Sequence, residues 1–481
     1  MIEIAGYIPD IGEKIEYKTL KFEENTKKIE IQVPDLTNEQ MDKVIEKVKK
    51  SSADILKSFS VTEIVSLIDQ VINQLLDRTN PYRQKAEKIL PLVTGYHPEI
   101  VRLGLNSYLK AFRRHELQRF LVEDFGNPLL LDDFQPRPKR GLSKAVGPAL
   151  AFHVWAGNVP GLPLWSLISG LLVKSGNIGK VSSSEPLVAG WFAQMLVEIE
   201  PRLADCLAIV WWKGGDEERE RLLFRQADVV MGYGSNSALE SIQGRIPVTT
   251  RFLPFGHKIS FGVVSNSALD SRKSWKTAHQ CALDIVRYDQ QGCYSPHIFY
   301  VQKGGRVSPK EFSNYIAHEL ECFEQRYPLR TLSIDEAANV AGWRQQEEMT
   351  SYSQTGKTVM GKTRKWTVVF EESGGEFTPS CLNRVIKVIE INELNEIIEQ
   401  ISPHRSYLQT AGVAASPEEL FQLAGELGAV GVTRITGIGH MTSPEAGWHH
   451  DGRFNLLDLI TMVDIERSAE EDAEQYAPYV D

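Results

Sequence analysis

The amino-acid sequence predicts an α/β protein with a doubly wound, mostly parallel β-sheet and a helical N-terminal region. From about residue 145 to 264, short apolar runs alternate with amphipathic segments, which is the βαβ rhythm of parallel sheets. A second α/β stretch follows over about 259–440. Residues 37–125 instead carry apolar side chains at helical spacing. Because open parallel sheets bind ligands where their strands end, a site is expected in the loops that follow the strands.

The first part of the chain supplies the least regular pattern. Residues 1 to about 35 are predicted to form strands, and KKIEIQV shows the clearest alternation. Helices are predicted around EIVSLIDQVINQLLD at 63–77 and EIVRLGLNSYLKAF at 99–112. The segment 126–141 is rich in proline, glycine and charge, which indicates a linker.

The parallel sheet is predicted from six apolar runs and the helices between them. The predicted strands are AVGPALAFHVWAG, NIGKVSSS, CLAIVWWKGG, ADVVMGYG, IPVTTRF and KISFGVV, and the helices are 160–173, 188–199 and 216–226. The second stretch is predicted to contain a helix at 272–287, the strand HIFYVQK, a helix at 309–325, and strands near 366–370 and 384–391.

Composition narrows the class of protein. A chain of 481 residues exceeds one hydrophobic core, so two or three domains are expected. The net charge of −10 gives no reason to expect nucleic-acid binding. The apolar stretch 159–173 is too short for a membrane span and contains two prolines. With no C-x-x-C pair and no secretory signal, a reduced cytoplasmic protein is expected; its cysteines are Cys206, Cys281, Cys293, Cys322 and Cys381.

Cys293 is the cysteine whose surroundings favour chemistry. Gly292 interrupts the preceding helix and Pro296 prevents its continuation, so Cys293 is predicted to lie in a loop between a helix and a strand. A thiol can be presented there as a nucleophile. A small buried core residue is the alternative, since free cysteines are among the most buried residue types.

Three loops after predicted strands carry polar groups. Asn158 is either a helix N-cap or an amide donor to a developing oxyanion. Lys180 and the serines at 182–184 form either a surface loop or a phosphate or ribose site. Gly234 and Ser235 lie between a strand and a helix, where glycine permits close approach of a phosphate, although the G-x-G-x-x-G spacing is missing.

The sequence gives little support for a metal site or for a serine nucleophile. His449 and His450 are adjacent, so on a strand they would point to opposite faces, and no H-E-x-x-H spacing occurs. No metal site is therefore predicted. A serine nucleophile is not predicted either, because G-x-S-x-G is absent from the sequence.

Taken in order, these motifs resemble the aldehyde dehydrogenase superfamily. The chain is most similar to its acyl-CoA reductase family typified by LuxC, through LPLVTGYHPEIVRLGL, FGHKISF, RYDQQGCYSPH, YLQTAGV and GVTRITGIGHMTSPEAGWHHDG. The resemblance covers most of the chain from about residue 90. It implies an aldehyde dehydrogenase-like fold: N-terminal strands and helices plus a Rossmann-like nucleotide-binding domain over 1–258, a catalytic domain over 259–440, and a C-terminal segment over 441–481 for packing or oligomerisation.

The resemblance also implies a reaction. Cys293 would attack the thioester of a long-chain fatty acyl-CoA, with Asn158 and the Cys293 backbone N–H at the oxyanion. A nicotinamide hydride would then reduce the acyl-enzyme to a thiohemiacetal, which collapses to the aldehyde. His257 or His297 would supply the proton.

Departures from the superfamily pattern refine this expectation. Pro254 stands where hydrolytic members carry the water-activating glutamate, which favours reduction over aldehyde oxidation. The ribose-binding glutamate of the E-x-F-G-P-V motif has no clear match in TPSCLNRVIKV. Lys180, Ser182, Ser183, Gly234 and Ser235 would bind the cofactor. Ser183 replaces the glutamate that often accepts from the ribose 2′-OH of NAD, which favours NADPH.

The expected partners follow from the same resemblance. They are the fatty acyl-CoA substrate, an acyl-donating thioesterase or ligase, and further copies of the chain in a homo-oligomer. Two alternatives stay open. One is a short-chain acylating aldehyde dehydrogenase, and the other is a non-catalytic subunit that only accepts acyl groups.

Overall fold

The computed structural model describes residues 2–24, 27–138, 140–353, 355–361, 365–372 and 374–478. The chain begins with a small sheet in the strand order β1-β3-β2, whose members are β1 (Ile2–Ile4), β2 (Glu16–Glu24) and β3 (Lys27–Asp35). Strand β2 runs antiparallel to β3, and β1 runs parallel to it. The alternation in KKIEIQV buries Ile29, Ile31 and Val33, as a strand with one covered face requires.

The predicted helical region consists of five helices: α1 (Asn38–Asp54), α2 (Val61–Leu76), α3 (Pro81–Thr94), α4 (Pro98–Lys110) and α5 (Arg114–Phe125). Capping boxes begin two of them, Thr37 with Gln40 at α1 and Ser60 with Glu63 at α2. The predicted linker then carries the short strand β4 (Gln135–Pro136), and β5 (Leu142–Val146) follows it.

The first large sheet has five parallel strands in the order β10-β9-β6-β7-β8. Its strands are β6 (Leu150–Val154), β7 (Gly176–Lys180), β8 (Leu207–Val210), β9 (Val229–Tyr233) and β10 (Arg251–Phe255), and its helices are α6 (Pro163–Leu172), α7 (Val188–Ile199), α8 (Glu217–Gln226) and α9 (Asn236–Gln243). The chain proceeds outward from β6 through β7 and β8, then returns to the other side of β6. This reversal opens a crevice beyond the carboxyl ends of β6 and β9.

Several strand predictions in this region were too long, and two of them also missed where a strand breaks or begins. AVGPALAFHVWAG forms two strands, β5 and β6, in different sheets, because the chain turns at Gly147 and Pro148. A side chain at Gly147 would meet the Val173 carbonyl oxygen at 1.8 Å. IPVTTRF becomes a strand only from Arg251, since Thr250 N–H donates to the Pro247 carbonyl in a turn.

The second large sheet has seven strands in the order β13-β14-β15-β12-β11-β16-β17, with only the edge strand β13 antiparallel. Its strands are β11 (Ile259–Val264), β12 (Pro296–Gln302), β13 (Lys357–Met360), β14 (Thr367–Glu371), β15 (Val385–Ile391), β16 (Leu408–Ala414) and β17 (Arg434–Gly437). The helices are α10 (Ser274–Val286), α11 (Pro309–Arg326), α12 (Ile334–Ser353), α13 (Glu396–Ile401) and α14 (Pro417–Ala429). The predicted α/β class is confirmed.

The C-terminal segment contains β18 (Thr461–Ile465) and α15 (Arg467–Glu474). Strand β18 pairs antiparallel with β5, which also pairs with β4, so the three form a separate small sheet. Across the described ranges, no helix combines the length and apolar character that crossing a membrane demands.

Candidate active site

A cleft of about 670 Å³, open to solvent on one side, lies between the two large sheets. The first sheet contributes residues that follow β6 and β9, which are the carboxyl ends of its central strands. The second sheet contributes residues at or just before the beginnings of β12 and β16. The cleft therefore lies at the crevice that the strand order of the first sheet opens.

The loop over 287–295 carries the predicted nucleophile Cys293, and this nucleophile loop is built on three consecutive left-handed residues. Tyr288, Asp289 and Gln290 have φ of 51°, 48° and 64°, which ends α10 and reverses the chain. The buried Gln290 side chain secures the turn, since its Nε2 donates to the carbonyls of Pro296 (2.7 Å) and Val385 (3.0 Å). Cys293 follows in a short turn before β12, as predicted.

The Cys293 sulfur faces the cleft and is half-buried. Gln409 Nε2 donates to it over 3.4 Å and also donates to Asp451 Oδ1 over 2.6 Å. Burial, and then the negative charge of Asp451, raise the pKa of the Cys293 thiol to about 11; Gln409 and Arg434 oppose that rise. The resting thiol is thus protonated at neutral pH.

Asn158 lies on the opposite wall of the cleft and reaches the nucleophile loop. Its Nδ2 donates to the Gln291 carbonyl over 2.6 Å, and Tyr96 OH donates to the Asn158 carbonyl over 2.7 Å. The amide nitrogen carries two hydrogens, so one remains for a substrate oxygen. The N-cap interpretation is not what this geometry shows, since α6 begins only at Pro163 and its N-cap residue is Leu162.

The two histidines differ in exposure. His297 is buried at the start of β12, where its Nδ1 lies 3.4 Å from Ser380 Oγ, and burial lowers its pKa to about 4. His297 is therefore neutral at physiological pH. His257 is exposed on the rim, where its backbone N–H donates to Asn236 Oδ1 over 3.1 Å. Within the described part of the chain, no three His, Cys, Asp or Glu side chains converge as metal ligands.

The predicted cofactor residues divide into two groups. Ser182, Gly234 and Ser235 line the cleft, and Ser235 is the N-cap of α9, accepting from Ala238 N–H over 3.3 Å. Ser183 Oγ instead accepts from Trp211 Nε1 over 3.0 Å, at the end of β8. Lys180 Nζ lies 5.8 Å from the centre of the Trp212 ring. These two residues therefore lie beside the β8 end of the sheet.

The sequence patterns did not reveal several polar residues that line the cleft, among them Arg330, Glu336, Gln409 and Asp451. Gln409 and Asp451 lie inside YLQTAGV and GWHHDG, which contributed to the resemblance without a role. Arg330 and Glu336 precede and begin α12, a helix that was not predicted. The C-terminal segment thus does more than pack, because it supplies His450 and Asp451 to the cleft.

The two large sheets and the cleft between them have the fold of the aldehyde dehydrogenase type. Solved structures with this fold include NADP-dependent glyceraldehyde-3-phosphate dehydrogenase from Bacillus halodurans, with a TM-score of 0.75, 13% identity and coverage of 97% of this chain and 99% of that one. Aldehyde dehydrogenase 21 from Physcomitrella patens gives a TM-score of 0.74 at 13% identity, covering 96% and 98%.

Within this type, the chain belongs to the acyl-CoA reductase (LuxC) family, which matches residues 56–462. Two curated relatives are the long-chain acyl-protein thioester reductases of Vibrio harveyi and Photobacterium phosphoreum. The first is 24% identical over 438 residues, 87% of this chain and 88% of the relative. The second is 25% identical over 433 residues, 87% of this chain and 85% of the relative.

Proposed function

We propose that this protein reduces a long-chain fatty acyl thioester to the fatty aldehyde, using NADPH and an acyl group carried on Cys293. The observation that carries the proposal is the presentation of the Cys293 sulfur on a rigid turn facing the cleft, opposite the Asn158 amide. The relatives named long-chain acyl-protein thioester reductases support the substrate class.

Acylation begins when the Cys293 sulfur attacks the thioester carbonyl. The new C–S bond forms, the carbonyl oxygen takes the electron pair, and collapse expels the original thiol, which leaves with the proton that Cys293 loses. Asn158 Nδ2 and the Cys293 backbone N–H are the proposed donors to the oxyanion. Ser260 supports this geometry, because its hydroxyl donates to the Cys293 carbonyl over 2.8 Å and holds the turn.

The acyl-enzyme must survive until it is reduced. Glu336 and Asp451 are the carboxylates among the described residues of the cleft. Glu336 forms an ion pair with Arg330, and Asp451 accepts a hydrogen bond from Gln409. Pro254, at the position matched to the water-activating glutamate, lies inside β10. Because both carboxylates already have partners and a proline stands at the matched position, these features favour reduction of the acyl-enzyme over its hydrolysis.

The residues present fit a nicotinamide dinucleotide. A side chain at Gly157 would lie 2.3 Å from Ser184 Oγ and 2.8 Å from Ser182 Oγ, so only glycine leaves this part of the cleft open. Gly234 and Ser235 lie at the N-terminal end of α9, where phosphates bind favourably. NADPH, when bound, supplies the hydride. Lys180 and Ser183, beside the end of β8, are proposed to bind the 2′-phosphate of NADPH.

The proton for thiohemiacetal formation is assigned to His257. The low pKa of His297 keeps that residue neutral, and His257 is the exposed histidine that lines the cleft. A pocket beside the cleft, with about 40 Å³ of free volume, is the proposed place for the acyl chain, which would enter it as the lining side chains move apart. Its walls are mainly apolar and aromatic, and Tyr294 lines both the pocket and the cleft.

The proposal also covers the cellular compartment, the oligomerisation surface, the domain boundaries and the acyl donor. All five cysteines are unpaired, which fits a reduced cytoplasm. The sheet β18-β5-β4 is the proposed oligomerisation arm, with Met462 and Val463 exposed on it. Residues 1–258 and 259–440 are the proposed nucleotide-binding and catalytic domains. The acyl donor is either fatty acyl-CoA or an acylated thioesterase or ligase.

One experiment tests the proposal directly. The protein is incubated with tetradecanoyl-CoA and NADPH while NADPH absorbance and covalent acylation are followed. We expect aldehyde and NADPH oxidation with the wild type and with the control Cys322→Ala, whose cysteine is exposed and does not line the cleft. Cys293→Ala should abolish both signals. NADPH oxidation that persists in Cys293→Ala would refute the mechanism, acylation without oxidation would favour an acyl-accepting subunit, and preference for acetyl-CoA would favour the short-chain enzyme.

A further inference from the structure

We propose that Gln409 is a catalytic residue that donates a hydrogen bond to the Cys293 sulfur and then to the oxyanion, and that Asp451 is the positioning residue that orients its amide. The inference rests on the proposed acyl transfer at Cys293. It assigns roles to two residues from separate parts of the chain: Gln409 lies in β16, and Asp451 lies in the C-terminal segment.

The contacts make Gln409 a fixed donor. Its side chain is fully buried (0% exposed), and Nε2 lies 3.4 Å from Cys293 Sγ and 2.6 Å from Asp451 Oδ1. Thr410 Oγ1 donates to its Oε1 over 3.4 Å. The two hydrogens of the amide nitrogen thus have two different acceptors, one of which is the nucleophile.

Asp451 decides which end of the amide faces the sulfur. An ionised carboxylate only accepts hydrogen bonds, so the nitrogen and not the oxygen of Gln409 must lie beside it. Because the same nitrogen is the atom nearest Cys293, the orientation chosen by Asp451 also directs an N–H towards the sulfur. Asp451 itself is held in a left-handed turn, with φ of 54°, which aspartate tolerates better than most residues.

The donor is useful at the step where charge develops. As the Cys293–carbonyl bond forms, negative charge passes from sulfur to the carbonyl oxygen, and the expelled thiol carries away the proton that Cys293 loses. A hydrogen-bond donor close to the sulfur can stabilise the negative charge first on the sulfur and then on the oxyanion that forms beside it. Asn158 approaches from the other wall and already gives one hydrogen to the Gln291 carbonyl, so Gln409 supplements it.

Asp451 has a second, opposite effect, which makes the inference testable. Its charge disfavours the thiolate and contributes to the raised pKa of Cys293, whereas the hydrogen bond from Gln409 lowers that pKa. Arg434, Tyr233 and Tyr294 also interact electrostatically with the sulfur, and His257, Lys258, His297 and His450 are further titratable groups of the same cleft. A purely electrostatic Asp451 would therefore slow the thiol, and neutralising it would accelerate every reaction of Cys293.

The test compares Asp451→Asn, Gln409→Met and the control Asp458→Asn, which removes the same charge from the same segment. The Cys293 peptide is followed by mass spectrometry during iodoacetamide alkylation at pH 8, where the rate tracks the thiolate fraction. Asp451→Asn should alkylate about 10-fold faster and Gln409→Met several-fold slower than wild type. Asp458→Asn should match wild type.

Acyl-enzyme formation from tetradecanoyl-CoA is measured on the same proteins. We expect both Asp451→Asn and Gln409→Met to be slower, Gln409→Met on the order of 100-fold, so that Asp451→Asn is faster in alkylation but slower in acyl transfer. The inference would be overturned if Asp451→Asn accelerated both alkylation and acyl transfer, or slowed both. It would also be overturned if Gln409→Met formed the acyl-enzyme at a rate within twofold of wild type.

Two controls keep the result decisive. If Gln409→Met does not fold by circular dichroism, Gln409→Leu replaces it with a side chain that also lacks the donor. If the wild type forms no acyl-enzyme with any thioester, the proposed function fails on its own. The opposite alkylation shifts of the two variants would then still support the Gln409–Asp451 pair, and shifts in the same direction would refute it.

Discussion

At the residue scale, the proposed preference for NADPH depends on the single charge of Lys180. Burial lowers the pKa of its ammonium group, and the charge of Glu220 partly opposes this. A partly desolvated cation is stabilised by an anion that reaches it. The neighbouring Ser183 hydroxyl is oriented by Trp211, so a 2′-phosphate would meet one charge and one hydroxyl.

This arrangement leads to a prediction about binding. Lys180→Met should weaken NADPH binding by at least about 10-fold and leave NADH binding nearly unchanged, because only NADPH carries the 2′-phosphate. Fluorescence titration gives both dissociation constants, and Lys276→Met, on the exposed face of α10, serves as control. Equal weakening of the two cofactors would show that Lys180 does not discriminate between them.

At the element scale, the nucleophile loop depends on a second loop with the same unusual backbone. Leu382, Asn383 and Arg384, just before β15, have φ of 63°, 56° and 63°. Arg384, at 0% exposure, donates to Asp289 over 2.6 Å and to Glu324 over 2.7 Å. One buried guanidinium thus joins two strained turns, each costing about 1–2 kcal/mol per left-handed residue.

We therefore expect Arg384→Met to destabilise the protein by about 3–5 kcal/mol, because Asp289 would remain buried without its cation. The free energy of unfolding in urea measures this loss. Arg326→Met, an exposed arginine on α11, should change stability by less than about 0.5 kcal/mol. A small effect of Arg384→Met would mean that the paired turns hold their shape without the ion pair.

At the scale of the whole molecule, the site exists because separate layers meet. The first sheet supplies Asn158 and the Gly234 turn, the second supplies Cys293 and Gln409, and the C-terminal segment supplies Asp451. Helix α4, from the N-terminal helical region, adds a wall to the adjoining pocket. The N-terminal helices therefore bear on the proposed acyl-chain site, although they lie far from Cys293 in sequence.

Narrowing that pocket should change the preferred chain length. Ala111 lines it, and Ala111→Phe is expected to lower the kcat/KM for tetradecanoyl-CoA at least about 10-fold while acetyl-CoA turnover stays within twofold. Leu103→Phe, exposed on α4 and outside the pocket, is the matched control. An equal loss of activity with tetradecanoyl-CoA and with acetyl-CoA would show that the acyl chain does not occupy this pocket.

Much of the fold was predictable because its signals are local. Periodicity located the α1–α5 region and predicted α7 at its observed bounds, 188–199. It failed at α12, whose apolar residues do not gather on one face and which buries only Val340 and Glu347. It also merged β5 with β6, since an apolar run does not reveal that its two halves join different sheets.

By itself, the sequence determined the α/β class and the position of Cys293, the proposed nucleophile, in a loop. These follow from apolar spacing, from glycine and proline around Cys293, and from motifs in a recognisable order. Only the tertiary structure decided which side chains meet that sulfur. Gln409 and Cys293 are 116 residues apart, and Gln409 and Asp451 are 42 apart. Such contacts depend on how sheets and segments pack, and no local pattern records that packing.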